Sequence, residues 1–147
     1  MNDAKKFKLL LVDDDPGVRE SLAHVLTGEG YDVLPASNGI EALEMTAQNA
    51  VDLVLLDLNL PKKNGWDTFE VMTKQNPQLP VIIITARPNQ LFPALSSGAG
   101  ALMEKPLDFP KLLQSIRDLL AEPVQARIAR LTGKPAEFHY MPSHADK

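Results

Sequence analysis

Polar residues of a particular kind sit where short apolar runs stop. Asp13, Asp14 and Asp15 follow the run 8–12, Asp57 follows 53–56, Thr85 follows 81–84, and Lys105 comes shortly after 101–103. Apolar runs of this length, bounded by turn residues, read as strands. If those strands lie parallel in one sheet, carboxylates, a hydroxyl and an ammonium gather beyond their carboxyl ends, where open α/β sheets bind ligands. Clustered carboxylates repel, so they persist only when protonated, solvated or neutralised by cations. Oxygen donors without histidine or cysteine suit a hard divalent ion, and Mg²⁺ commonly takes one or two carboxylates while keeping waters for phosphate. Lys105, the Thr85 hydroxyl and Mg²⁺ are then what a phosphoryl group in transfer requires, namely cations and hydrogen-bond donors aimed at its charged oxygens.

Each residue alone has a plainer reading. An aspartate after a strand usually forms a turn or caps a helix, and Asp15, directly before Pro16, is expected to be a cap. Thr85 alone is an ordinary strand residue and Lys105 a solvated charge. Asp57 is harder to dismiss, because no Gly or Pro turn follows it directly. The joint placement carries the inference.

The elements that must position these residues alternate along the chain. Strands are expected at 8–12, 31–35, 53–56 and 81–84, with a weaker one at 101–103. Between them, 16–27 places Val18, Leu22, Val25 and Leu26 on one helical face, and Gly28 or Gly30 ends it. Asn38 caps a second helix carrying Ile40, Leu43 and Ala47, and 65–75 forms a third with Trp66, Phe69 and Met72 inward. Segment 88–97 is expected to be short, kinked or mobile, since Pro93 removes a backbone hydrogen bond inside a helix. Asp108 caps a last helix with Leu112, Leu113, Ile116, Leu119 and Leu120 on its buried face. A βα unit repeated five times predicts an α/β fold, a doubly wound five-stranded parallel sheet with right-handed crossovers.

The chain has 147 residues, 44% hydrophobic and 23% charged, proportions ordinary for a globular protein. With no cysteine there is no disulfide frame, thiolate nucleophile or cysteine metal site. No apolar run approaches the roughly 18 to 20 residues of a membrane span, so a cytoplasmic protein is expected. A net charge of -4 argues against direct nucleic-acid binding. Arg127, Arg130 and Lys134 read as a solvated face. Residues 1–122 are expected to form one domain and 123–147 a C-terminal tail, a short helix with Val124, Ile128 and Leu131 followed by flexible chain. Such a helix needs a surface to bury its stripe, so the sequence leaves a homodimer or a partner protein open.

Four stretches in register are similar to the receiver domain of two-component response regulators. They are Leu9-Leu-Leu-Val-Asp-Asp-Asp15, Leu53-Val-Leu-Leu-Asp-Leu-Asn-Leu-Pro61 with Gly65, Ile82-Ile-Ile-Thr-Ala86, and Gly98-Ala99 followed by Glu104-Lys-Pro-Leu107. The resemblance covers about residues 6–122 and implies a flavodoxin-like (βα)5 sheet in the order 2-1-3-4-5. It also implies that Asp57 accepts a phosphoryl group from a histidine kinase or histidine phosphotransfer protein. Asp14, Asp57 and the Asn59 backbone carbonyl would hold Mg²⁺ directly, and Asp13 through water. Thr85 and the Ala86 amide would bind phosphoryl oxygens, Lys105 would pair with another, and the Lys105–Pro106 bond would be cis. The chain would be a switch that catalyses its own phosphorylation and dephosphorylation, signalling through phosphorylation-dependent contacts with a downstream protein. Phosphorylation adds about -1.5 to -2 charges, enough to draw Thr85 inward and bias the face of the fourth helix.

Two departures bear on output. Leu102 stands where the family often has an aromatic residue, three positions before the lysine, and Pro88 and Pro93 fall in the segment that commonly carries the output surface. Competing readings are a phosphorylation-independent interaction module of the same fold and a phosphohydrolase with Asp57 as nucleophile. The second lacks the usual second aspartate, since Asn59 occupies its place. A nucleotide-binding enzyme has neither a Walker-type loop nor a G-x-G-x-x-G fingerprint.

Overall fold

Successive strand residues point to opposite faces, and the central strands are apolar on both. Leu10, Val12, Val54, Leu56 and Ile83 pack into one core with Ala42, Phe69, Met72 and Ala94. Leu9, Leu11, Leu53, Leu55, Ile82 and Ile84 pack into another with Leu22, Leu26, Leu112, Ile116 and Leu119. The protein is thus a sheet covered by helices on each face. A computed structural model describes residues 6–60, 65–87, 89–131 and 139–143. Pro61, Pro88, segments 132–138 (with Lys134) and 144–147 of the expected tail, and the side chain of Arg130 lie outside the described residues.

The element order is β1 (Lys8–Val12), α1 (Pro16–Gly28), β2 (Asp32–Ala36), α2 (Gly39–Gln48), β3 (Leu53–Asp57), α3 (Gly65–Gln75), β4 (Val81–Thr85), α4 (Leu91–Ser97), β5 (Ala101–Glu104), α5 (Phe109–Ala121), α6 (Val124–Leu131) and β6 (His139–Met141). The strands run in the order β2-β1-β3-β4-β5-β6, and every pairing is parallel. The expected order 2-1-3-4-5 is present. A sixth strand extends it, so the expected count of five is corrected to six. Three residues, His-Tyr-Met, are too few to show a period, which is why β6 left no pattern in the sequence.

Asp15 caps α1, accepting from the N–H groups of Gly17 and Val18, and Gly30 takes the left-handed φ of 93° just past its end. Asn38 caps α2 as expected, but the buried stripe there is not the expected one. Ile40 is 48% exposed and Ala47 is exposed, while Ala42 is fully buried. Spacing alone allowed either stripe, and the packing of α2 against α3 chose the one centred on Ala42 and Leu43. Pro93 sits in the first turn of the seven-residue α4, where its missing N–H has no helical partner to lose. Beyond α5, Arg127 of α6 donates to the carbonyls of Leu119, Leu120 and Glu122, groups a helix end leaves without intrahelical partners. Val124 and Ile128 of the same helix are exposed.

Candidate functional site

β3 and β4 run one residue further than their apolar runs suggest, so Asp57 and Thr85 are the last residues of buried strands rather than the first beyond them. Register places Asp57 opposite Ile84 and Thr85 opposite Glu104, the residue before Lys105. The backbone N–H of Lys105 donates to the Thr85 carbonyl at 2.9 Å. The Lys105–Pro106 peptide is cis. Asp13, Asp57 and Thr85 are buried, whereas Asp14, Asn59 and Ala86 are exposed at the rim.

Lys105 Nζ lies 3.0 Å from Asp57 Oδ2 and 3.4 Å from Asp13 Oδ2. Asp57 Oδ1 accepts the Asn59 N–H at 2.9 Å, and Asp13 Oδ1 accepts the Asp15 N–H at 3.0 Å. Thr85 Oγ1 accepts the Arg87 N–H at 2.8 Å. Asp13 Oδ2 is buried without a hydrogen bond among the described residues, and the ammonium at 3.4 Å is an ion pair rather than a substitute for one. Burial pushes the Asp57 carboxyl above its usual range, and the Asn59 N–H and Lys105 only partly oppose it. Burial pulls Lys105 down, but Asp57 and Asp13 outweigh it and leave the ammonium raised. The pair is attractive, yet the site remains short of positive charge.

One carboxylate oxygen each from Asp13, Asp14 and Asp57 lies within 4.8 Å of the others. An octahedral Mg²⁺ with ligands at about 2.1 Å spans about 4 Å between opposite oxygens. The donor set is all oxygen, one buried oxygen has no hydrogen bond, and the spread is of the right size. These residues fit such an ion.

Two residues escaped the sequence reading. Arg19 reaches back from α1 so that Nη1 donates to the Asp13 carbonyl at 2.6 Å, fixing the turn that carries the acidic pair. Its position six residues after Asp13, one turn into a capped helix, was the available signal. Gly65 was noted only within a motif, and its role is steric. A Cβ there would meet Leu58 Cα and stand 2.7 Å from the Leu58 carbonyl oxygen and 2.9 Å from that of Asp57. Gly65→Ala is expected to lose about 1–3 kcal/mol in urea unfolding, the usual cost of forcing extra volume into packed backbone. Gly28→Ala, where a Cβ meets nothing within 4 Å, is the control and should be neutral or stabilising. Equal effects at the two positions would refute the steric role.

On the other side of the rim, the Trp66 indole Nε1 donates to Gln90 Oε1 at 3.0 Å, tying the start of α3 to the segment after Thr85. Asn89 in that segment is left-handed, with φ 62°, a conformation asparagine tolerates.

The family model of the response regulator receiver domain matches residues 9–117. The chain belongs to this family. As a receiver it is part of the two-component response regulators, whose receiver domains take phosphate from histidine kinases. It is 39% identical over 124 residues to the transcriptional regulatory protein GlrR of Escherichia coli, covering 83% of this chain and 28% of that protein. The chain spans 28% to 60% of the length of the curated relatives it matches. A CheY-like receiver domain protein from Methanospirillum hungatei superposes with TM-score 0.76 at 30% identity, covering 79% of this chain and 94% of that one. TrrA from Thermotoga maritima, solved in complex with Mg(2+)-BeF, gives TM-score 0.72 at 31% identity, with 77% and 98% covered. Among the described residues no helix is long and apolar enough to cross a membrane.

Proposed function

We propose that Asp57 accepts a phosphoryl group from the phosphohistidine of a histidine kinase or histidine phosphotransfer protein, and that the receiver then signals through protein contacts. The observation that carries this is the buried Asp57 carboxylate held 3.0 Å from Lys105 Nζ with oxygens of Asp13 and Asp14 beside it. Asp13, Asp14, Asp57 and the Asn59 carbonyl would hold Mg²⁺, which would supply positive charge to the transferring oxygens. A relative of the same fold solved with Mg(2+)-BeF supports that assignment. An Asp57 oxygen attacks phosphorus, the P–N bond breaks with its electron pair going to the imidazole, and an acyl phosphate results. Burial raises the basicity of the attacking carboxylate. Lys105 turns from Asp57 to a phosphoryl oxygen. Thr85 Oγ1 already accepts from Arg87 N–H, which leaves its proton to be donated to a second oxygen, while the Ala86 amide serves a third.

An apolar cleft of about 500 Å³ opens beside Lys105, lined by Val18, Leu22, Pro106, Leu107 and Phe109. We place the phosphodonor protein there, where its histidine comes within reach of the rim. Asp57, Thr85 and Lys105 act on the chain itself, so it is a cytoplasmic switch and not an enzyme with external turnover. Residues 1–122 are the receiver unit in this reading and 123–147 an appended segment.

The test is incubation of the chain with Mg²⁺ and acetyl phosphate or phosphoramidate, read by intact mass, with beryllofluoride binding as a check against rapid hydrolysis. The expected result is a Mg²⁺-dependent phosphoryl adduct that borohydride reduction maps to Asp57. No adduct and no beryllofluoride binding would leave a phosphorylation-independent interaction module instead.

A further inference from the structure

β6 covers what would otherwise be the free edge of the sheet. His139, Tyr140 and Met141 pair with Ala101, Leu102 and Met103, and the His139 N–H donates to the Gly100 carbonyl at 3.2 Å. The strand is three residues long and only Met141 of the three is buried, against a common strand length of about five to six. Short edge elements with little buried area open at the low end of local stability. At its far end Ser115 Oγ donates to Met141 Sδ at 3.4 Å, and a carboxylate holds the residues on either side of Met141. Glu104 Oε1 accepts the Tyr140 hydroxyl at 3.1 Å and the Ser143 N–H at 3.3 Å.

Glu104 also faces the phosphoryl site through the backbone. It pairs in register with Thr85, and the next residue, Lys105, donates its N–H to the Thr85 carbonyl. The two residues whose side chains change partner when Asp57 is modified are therefore paired with, or bonded to, the residue that anchors β6.

We infer that the β5 edge is a strand-docking surface whose occupant is this chain's own C-terminal strand β6, and that occupancy at Asp57 loosens that strand through Thr85, Lys105 and Glu104. This rests on the phosphoryl reading above and adds its output. Anionic oxygens on Asp57 draw the Lys105 ammonium and Thr85 hydroxyl toward β3, and the end of β5 moves with them, away from Tyr140 and Ser143. A released β6 uncovers the N–H and C=O groups of β5, an edge able to take an added strand. It also accounts for output in a chain with Leu102, fully buried, at the position opposite Tyr140.

Coupling of this kind is reciprocal, so a docked β6 weakens binding at Asp57 by the same factor by which loading weakens β6. Amide hydrogen exchange of the full chain with Mg²⁺, with and without beryllofluoride, reads the strand, and a separate titration reads the site. Exchange at 139–141 is expected to quicken by about fivefold or more on loading, the lower end of coupling between sites. Tyr140→Phe, lacking only an exposed hydroxyl, should exchange faster when unloaded and bind beryllofluoride more tightly, by no more than the factor that loading adds to exchange. Unchanged or slower exchange in the loaded protein, or unchanged affinity in Tyr140→Phe, overturns the inference while the phosphoryl reading stands. Failure of beryllofluoride to bind overturns both.

Discussion

Asp57→Asn should gain no phosphoryl mass from acetyl phosphate and Mg²⁺, and in metal-free buffer it should be more stable than the wild type at pH 7. The first effect follows because an amide is neither an anion nor a nucleophile toward phosphorus. The second follows from the raised Asp57 pKa, dominated by burial. A carboxyl that is harder to ionise folded than unfolded takes stability away as pH rises through its folded value, since the folded state binds more protons in that window. Below the ordinary carboxyl value of 3.8 both states are protonated and the disadvantage disappears. Asparagine keeps one oxygen, which serves the Asn59 N–H, and gives up the acceptor facing Lys105 together with the buried charge. Its urea midpoint should therefore exceed the wild type's at pH 7, and the gap should shrink on acidification toward pH 4. A lower midpoint at pH 7 would show that the Lys105 pair outweighs desolvation. The acceptor is thus a place where function is held against stability.

Lys105→Ala is expected to slow phosphoryl transfer by about 10²–10³, the loss typical of deleting one preorganised donor to a developing anion. The ammonium is the cation the structure sets against two buried carboxylates, at 3.0 and 3.4 Å. Removing one partner of a buried ion pair costs about 3 kcal/mol or more, and the 24% exposure of the lysine side chain argues for the low end of that range. The raised lysine pKa means that its contribution is present below 10.5 and lost only as pH rises through the folded value, so it operates fully at neutral pH. The variant should regain stability on acidification, as the carboxyls protonate, and on saturation with Mg²⁺. Chemical denaturation with EDTA or excess Mg²⁺ reads stability, and quenched intact mass reads the rate. A rate within about threefold of wild type would remove Lys105 from the transfer step.

The central strands and the identity of the rim residues were legible because a sheet covered on both faces demands unbroken apolar runs, and a polar residue ending such a run is conspicuous. Asp57 and Thr85 lay one residue inside the strands rather than outside, since the backbone ladder continues whatever the side chain. The α2 face was misread at Ile40 because a ten-residue helix with scattered apolar residues admits more than one stripe, and only the neighbouring helix decides. β6 was illegible for a related reason. Its pairing partner is distant in sequence, and its fixings, Glu104 with Tyr140 and Ser143, are hydrogen bonds that no hydrophobic period records. Gly65 and Arg19 act through backbone carbonyls, to which sequence patterning is blind.

The Trp66–Gln90 bond has a practical side. Trp66 is the sole tryptophan of the chain, and its indole N–H is engaged by a residue five positions beyond Thr85. Emission excited at the red edge of the absorption band therefore comes from one place, and that place bridges the helix after the acceptor strand and the loop after the hydroxyl strand. The molecule carries a label-free optical gauge of this loop, fixed where a change of side-chain partner at the rim would first displace the indole's environment.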